Sequence, residues 1–398
     1  MSTDDSASSD VGSQIGFGSG AALVVFMATR DSGGQPSTEL YAVPISGGQA
    51  QKLNGPLTAG GNVFGFAVAD QGAHVIYVAD QEVDDVTEFY SVAISGGLTS
   101  KLNAPLVAGG DLFTYRLTPD GATALYIADQ ETDGVAEIYA VPAAGGMPHK
   151  LAGTAQFGNA TIQGVQISPD SKRVVFGVER VDDSKQYLYR LAISDSQVIT
   201  LNNPLTGTDS AGINFVITPD SQWVLYDARY DDPTLASGLY RAPIGGGPSL
   251  KLSGAATTGE YIRDMVLSPD GRRIAYFGDD TQDQDFLYDL YSVAVAGGEP
   301  VLLSPQFNVQ ADIGFTPDSA YVLFRCCPFA ALDLYQVPAA GGASVRLNQT
   351  RADVDDVQIV DYRLSSLENV VVYRGDQDTA FQFELYRAEV TDVPQLTP

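Results

Sequence analysis

The sequence predicts an all-β chain, a single β-propeller of eight four-stranded antiparallel blades. Three observations lead there. A tyrosine returns about every 50 residues, at Tyr41, Tyr90, Tyr139, Tyr189, Tyr240, Tyr291, Tyr335 and Tyr386. A leucine follows each of the first seven by twelve residues, at Leu53, Leu102, Leu151, Leu201, Leu252, Leu303 and Leu347, and Leu396 follows the last by ten. Each period holds four short β-rich runs separated by turn residues, with almost no helical periodicity. A fixed period of about 20–50 residues marks a repeat protein, and four antiparallel strands per unit is the pattern of a propeller blade.

Residues 1–11 read as a disordered tail. The blades follow at about 12–61, 62–110, 111–160, 161–211, 212–260, 261–311, 312–358 and 359–398. The first has Leu23–Ala28 as its second strand and Glu39–Ile45 as its third; its first strand rests on Ile15-Gly16-Phe17 alone. In the third, Leu112–Leu117 leads into Thr118-Pro119-Asp120-Gly121, then Ala124–Ala128, an acidic loop, Glu137–Val141, Gly145-Gly146 and His149–Leu151. Proline presets φ for the first turn, and the Gly-Gly pair permits positive φ in the second. The last unit is expected to carry all four of its strands, which leaves none to close a ring across the chain ends. Runs such as Val174-Val175-Phe176 and Val370–Tyr373 are apolar without alternation, as expected of strands covered on both faces.

The long segments are the second-to-third strand hairpins, 80–87, 129–136, 179–186, 229–238, 279–288 and 376–383, and the connections Asn54–Gly61, Asn103–Gly110 and Asn202–Ser210. They share one face of the repeat, and binding residues concentrate on loops held by a rigid scaffold. Net charge is −27, from 49 acidic and 22 basic residues. That balance disfavours nucleic acid and anionic membranes, and favours cationic partners or metal ions. No apolar run is long enough to span a bilayer. The start, Met1 to Asp10, has neither the basic nor the apolar region of a signal peptide.

The turns Ser168-Pro169-Asp170-Ser171, Ser268-Pro269-Asp270-Gly271 and Thr316-Pro317-Asp318-Ser319, with Leu290–Val293 and Gly297-Gly298, resemble the repeats of TolB-type propellers. The resemblance covers about residues 20–398. It implies a periplasmic or extracellular binding protein; such repeats also form the gating domains of prolyl-oligopeptidase-like enzymes. The sequence has no Gly-x-Ser-x-Gly elbow.

Among acidic motifs, Asp129, Glu131, Asp133 and Glu137, with Gly134 at the turn and the Val135 carbonyl, have the spacing to wrap one hard cation. The loop 129–137 is similar to the calcium loops of integrin α-subunit propellers, which implies calcium. Blade 2 repeats the pattern with Asp80, Glu82, Asp84 and Glu88, but Asp85 replaces the glycine. Blade 6 keeps Asp283, Asp285 and Asp289 but starts at Thr281; blade 8 keeps Asp376, Asp378 and Glu384 but has Ala380. The competing reading is that the last acid of each loop bonds a neighbouring blade, since Asp333 occupies that place in blade 7 without the rest of the motif.

Cys326 and Cys327, the only cysteines, read as two thiols at a strand end or as a vicinal disulfide. His74 and His149, the only histidines, fall in strands of different blades and read as ordinary packed or surface residues. Some related propellers are metal-dependent lyases with several histidine ligands, and two separated histidines do not supply such a cluster. Trp223 reads as a core residue. The expectation is therefore a monomeric, non-enzymatic binding or interaction scaffold whose long-loop face takes a protein or small-molecule ligand, without nucleic acid or membrane insertion. The alternatives are a metal-dependent enzyme acting on a carbohydrate or lactone, and a surface spacer without a ligand.

Overall fold

The computed structural model describes residues 9–18, 22–31, 36–230, 237–253, 262–278, 289–304, 308–309, 312–327, 332–349, 357–365, 368–379 and 381–390. Each repeat folds into its own antiparallel sheet with strands in sequence order, which is the build of a propeller blade. Among the described residues there are eight such sheets, and the two helical turns, Asp70–Gly72 and Thr154–Phe157, are short 3-10 segments. The sheets begin at the strands Ser9–Phe17, Val63–Ala69, Leu112–Leu117, Ala160–Ile167, Ser210–Ile217, Ile262–Leu267, Asn308–Val309 and Ile359–Leu364. The first strand thus starts inside the segment expected to be a tail. In the seventh sheet the first strand is split, with Asn308–Val309 and Gly314–Phe315 both pairing with Tyr321–Cys327. The eighth has three strands among the described residues; its expected fourth lies beyond them.

The tyrosine period has a direct cause. Seven of the repeating Tyr residues in the third strand face an aromatic residue directly across in the second strand. Tyr77 pairs with Tyr90, Tyr126 with Tyr139, Tyr276 with Tyr291, Phe324 with Tyr335 and Tyr373 with Tyr386. The rings stack at 5.0 to 5.7 Å, an arrangement that adds about 1 kcal/mol beyond the area buried. The leucine period comes from closure of the third-to-fourth strand hairpin. The amide of Leu53 donates to the Leu40 carbonyl at 2.8 Å, and Leu102 to Phe89, Leu201 to Leu188, Leu252 to Leu239, Leu303 to Leu290 and Leu347 to Leu334 do the same. The next side chain finishes the closure: Asn54, Asn103, Asn202, Ser253, Ser304 and Asn348 each accept from the amide fourteen residues back.

The Pro-Asp turns are locked in the same repetitive way. Thr118, Ser168, Thr218, Ser268 and Thr316 each donate a hydroxyl to the Asp two residues on, at 2.5 to 2.6 Å.

The chain divides into two compact units, Met1–Asp183 with Arg190–Ile199, and Ser184–Tyr189 with Thr200–Pro398. In the first, cores form between successive sheets: Val25, Leu40 and Leu53 meet Phe66, Tyr77 and Tyr90, and Ile76, Phe89 and Leu102 meet Tyr126 and Tyr139. In the second, Leu225, Leu239 and Leu252 meet Ile274, Tyr276 and Val293. Ala275 and Phe277 meet Phe324 and Val337, and Leu323 and Leu334 meet Ile359 and Tyr373. Each fully buried Tyr or Phe in these layers contributes about 2–3 kcal/mol.

Candidate functional site

The second-to-third strand hairpins are held by a short signal that their acid spacing hides. Asp80-Gln81, Asp129-Gln130 and Asp376-Gln377 close them alike, and all six residues are buried. One Asp oxygen caps the opening of the same sheet: Asp129 Oδ1 accepts from the Asp111 amide at 2.5 Å, Asp376 Oδ1 from Gln358 at 2.7 Å, and Asp80 Oδ1 from Asn62. The other oxygen closes the hairpin turn, accepting from Gly134 at 2.8 Å, Phe381 at 3.0 Å and Asp85 at 3.3 Å. The glutamine accepts the hydroxyl of the second-strand tyrosine, Tyr77, Tyr126 or Tyr373, at 2.8 to 3.0 Å. Burial pushes the Tyr77 phenol up to about 12, so it stays a donor at neutral pH.

The same glutamines hold the preceding connections. Gly55 donates to Gln81 Oε1 at 3.1 Å and Gln349 to Gln377 Oε1 at 3.2 Å. Thr58 and Val107 donate to the Gln81 and Gln130 carbonyls. Gly60 and Gly109, at φ 92° and 85°, lie against the Asp84 and Asp133 carboxylates, where a Cβ would come within 2.6 and 3.0 Å of a carboxylate oxygen. Hairpin and connection therefore form one pinned surface.

The expected blade 3 cation loop is distributed among other partners. Glu137 is 2% exposed; its Oε2 accepts from Tyr139 at 2.5 Å, and its Oε1 pairs with Lys150. Glu131 pairs with the same Lys150 at 3.0 Å, and that bond holds its carboxyl below the usual carboxylate range. Asp129 is engaged with backbone amides, Asp133 is exposed against Gly109, and the Val135 amide closes a turn on Thr132. Blade 2 repeats this division: Glu88, 5% exposed, pairs with Lys101 and accepts from Tyr90 at 2.9 Å, while Glu82 reaches Lys101 at 3.1 Å. The last acid of the loop thus bonds the fourth strand of its own sheet, not a neighbouring blade. Asp333 with Arg346 at 3.2 Å follows the same rule.

Three acids do converge, in the blade 2 hairpin, where Asp85 replaces the glycine. Asp80, Asp84 and Asp85 each place a carboxylate oxygen within 4.8 Å of the others. Asp85 stands where blade 3 has Gly134, at φ 64° against 76°. Its side chain joins the cluster because the turn requires a left-handed residue there and aspartate tolerates that conformation better than most. Among the described residues this is the one such grouping of acids, histidines or cysteines. Asp283 and Asp285 lie outside the described residues.

His74 opens the second strand of the second sheet, half-buried, and His149 is exposed with its Nε2 3.1 Å from the Ile193 carbonyl. Cys326 and Cys327 end the second strand of the seventh sheet, and Cys326 is buried with Phe324 and Val337. Trp223 carries the Arg241 guanidinium 4.2 Å from its ring centre.

An apolar cleft, invisible to motif reading, opens between the first strands of the third and fourth sheets. It holds about 330 Å³ and is lined by Tyr115, Ile127, Ile162 and Val165 with Arg116 and Gln163. No helix among the described residues is long and apolar enough to cross a membrane.

No protein-family model matches the chain, and no curated protein matches it. Solved structures do resemble it. A TolB-like protein from Agrobacterium tumefaciens matches at 18% identity over 61% of this chain and 80% of its own, with TM-score 0.37. The β-propeller domain of the Trilobed protease from Pyrococcus furiosus matches at 15% identity, over 83% and 96%, with TM-score 0.43. A prolyl endopeptidase matches at 12% identity over 93% of this chain and 53% of its own, with TM-score 0.47, so the chain spans about half that enzyme's length.

Proposed function

We propose that this chain is a non-enzymatic binding scaffold that presents the second-to-third strand hairpins and their connections to a ligand. One observation carries the reading. The acids that crowd those hairpins are mostly spent on holding them in place, through Lys101, Lys150, the strand tyrosines and backbone amides. A pinned, acidic, solvent-facing surface suits recognition, because little ordering entropy remains to be lost on binding. Catalysis by histidine has little support, since His74 and His149 lie in different sheets, one half-buried and one exposed. A periplasmic or extracellular location accords with the TolB-type resemblance of the turns.

A second reading of the same surface is favoured by Asp80, Asp84 and Asp85. A divalent cation, calcium by its preference for oxygen ligands and tolerance of irregular geometry, is the ligand this group suits. Like charges about 4 Å apart repel by about 1 kcal/mol per pair even in water, and a bound cation offsets that.

The binding reading is tested by incubating purified protein with ester, peptide and pectic-oligosaccharide substrates. No turnover is expected. Turnover that co-purifies with the protein and disappears in His74→Ala or His149→Ala would overturn it.

A further inference from the structure

The first strand of the third sheet, Leu112–Leu117, is flanked by space on both sides. Toward the fourth sheet lies the cleft of about 330 Å³. Toward the second lies a more open one of about 400 Å³, lined by Val78, Thr87 and Phe113 and sharing Thr114, Tyr115 and Arg116.

The first strands of the third and fourth sheets bulge at different heights. In Leu112–Leu117 the extra residue is Phe113, between the pairs Leu112–Ala128 and Thr114–Ile127. In Ala160–Ile167 it falls further along, with Gly164 and Val165 opposite Phe176 alone, and Gly164 takes φ 59° to make the turn. Bulges recur beside functional sites. The facing Ile127, Ile162 and Val165 are left half-buried.

Arg116 stands at this cleft, exposed, and its guanidinium donates to neutral acceptors only, Thr114 Oγ1 at 3.2 Å and the Tyr115 carbonyl at 2.9 Å. It has no carboxylate partner among the described residues, in a chain with more than twice as many acids as bases. The nearby Glu179 is held by Gln163 Nε2 at 2.7 Å. An apolar cleft of this size with one unneutralised cation and amide groups at its wall has the make-up of a small-ligand site.

From this charge complementarity we infer that the cleft binds a small organic carboxylate, its aromatic or aliphatic body against Ile127, Ile162 and Val165 and its carboxylate on Arg116. The overall charge of −27 repels any anion at long range, so the apolar body must supply most of the affinity and Arg116 the selectivity. This site is separate from the hairpin acids, and its failure would leave the reading of that surface intact.

The test is a ligand-observed NMR titration with 4-phenylbutyrate and its neutral counterpart 4-phenylbutanol. Phenylbutyrate is expected to bind about tenfold more tightly, the value of one charge-assisted hydrogen bond. Arg116→Gln, a change at an exposed side chain, should make the two ligands equal. Val165→Trp, which fills the cleft, should abolish both, with circular dichroism confirming an unchanged fold. Equal affinities in the natural protein, undetectable phenylbutyrate binding at millimolar concentration, or binding that survives Val165→Trp in the folded variant would each overturn the proposal.

Discussion

Asp85 and Gly134 occupy the same turn position in successive hairpins, both left-handed, at φ 64° and 76°. Both amides donate to the aspartate that opens the loop, Asp80 in one and Asp129 in the other. The glycine is there for the turn, and where aspartate replaces it the backbone keeps its shape while the extra carboxylate joins Asp80 and Asp84. Asp85→Gly should therefore stabilise the cation-free protein by about 0.5–1 kcal/mol, by relieving the left-handed side chain and one like-charge contact. Thermal melting in chelator checks this; a lower melting temperature would mean that Asp85 holds the hairpin by contacts of its own.

Glu137 and Glu131 share Lys150 but differ in burial, with side chains 3% and 54% exposed. Glu137→Ala strips the acceptor from the buried Tyr139 hydroxyl as well as the ion pair. It should cost about 2–3 kcal/mol. Glu131→Ala removes only an exposed pair and should cost less than about 1 kcal/mol. Urea unfolding of the two variants gives both values, and equal losses would contradict the division of roles.

Asp227 sits in the second strand of the fifth sheet with its Oδ1 buried and without a hydrogen-bond partner. It is packed so close to Gly212 that a Cβ there would lie 1.8 Å from that oxygen. Burial raises its carboxyl to about 6. Because the folded value lies above the unfolded one, near 3.9, its favourable contribution is full below pH ~4 and is lost as pH rises through ~6. Asp227→Asn should thus be more stable than the natural protein at pH 7, by up to about 2 kcal/mol, and no more stable at pH 4. A difference that stays constant across that range would rule out ionisation as its cause.

The repeat was legible because its cause is local. The Tyr–Tyr pair and the Leu amide bond both close within one sheet, so their spacing is written directly into the chain. The partners of the loop 129–137 acids were not legible, because Lys150, which pairs with both Glu131 and Glu137, lies outside the loop on the fourth strand, thirteen residues beyond Glu137. Acid spacing alone does not show which acids already have a cation. The Asp-Gln pairs were legible in principle, since Asp80-Gln81, Asp129-Gln130 and Asp376-Gln377 recur at the same place, but their work is done through backbone amides that no motif displays. The cleft at Arg116 lies between residues far apart in sequence, Ile127, Ile162 and Val165, so no local spacing displays it.

We propose the hairpin surface as a binding surface whose cation site is Asp80, Asp84 and Asp85 and not the loop 129–137. Calorimetric titration with calcium tests it most directly, on the natural protein, Asp84→Asn and Asp133→Asn, with melting curves alongside. One saturable site is expected in the natural protein and in Asp133→Asn, with stabilisation following RT ln(1 + [L]/Kd), and none in Asp84→Asn. Magnesium should substitute poorly, because it demands a smaller octahedral cage. A flat titration of the natural protein, or binding lost in Asp133→Asn and kept in Asp84→Asn, would contradict the account.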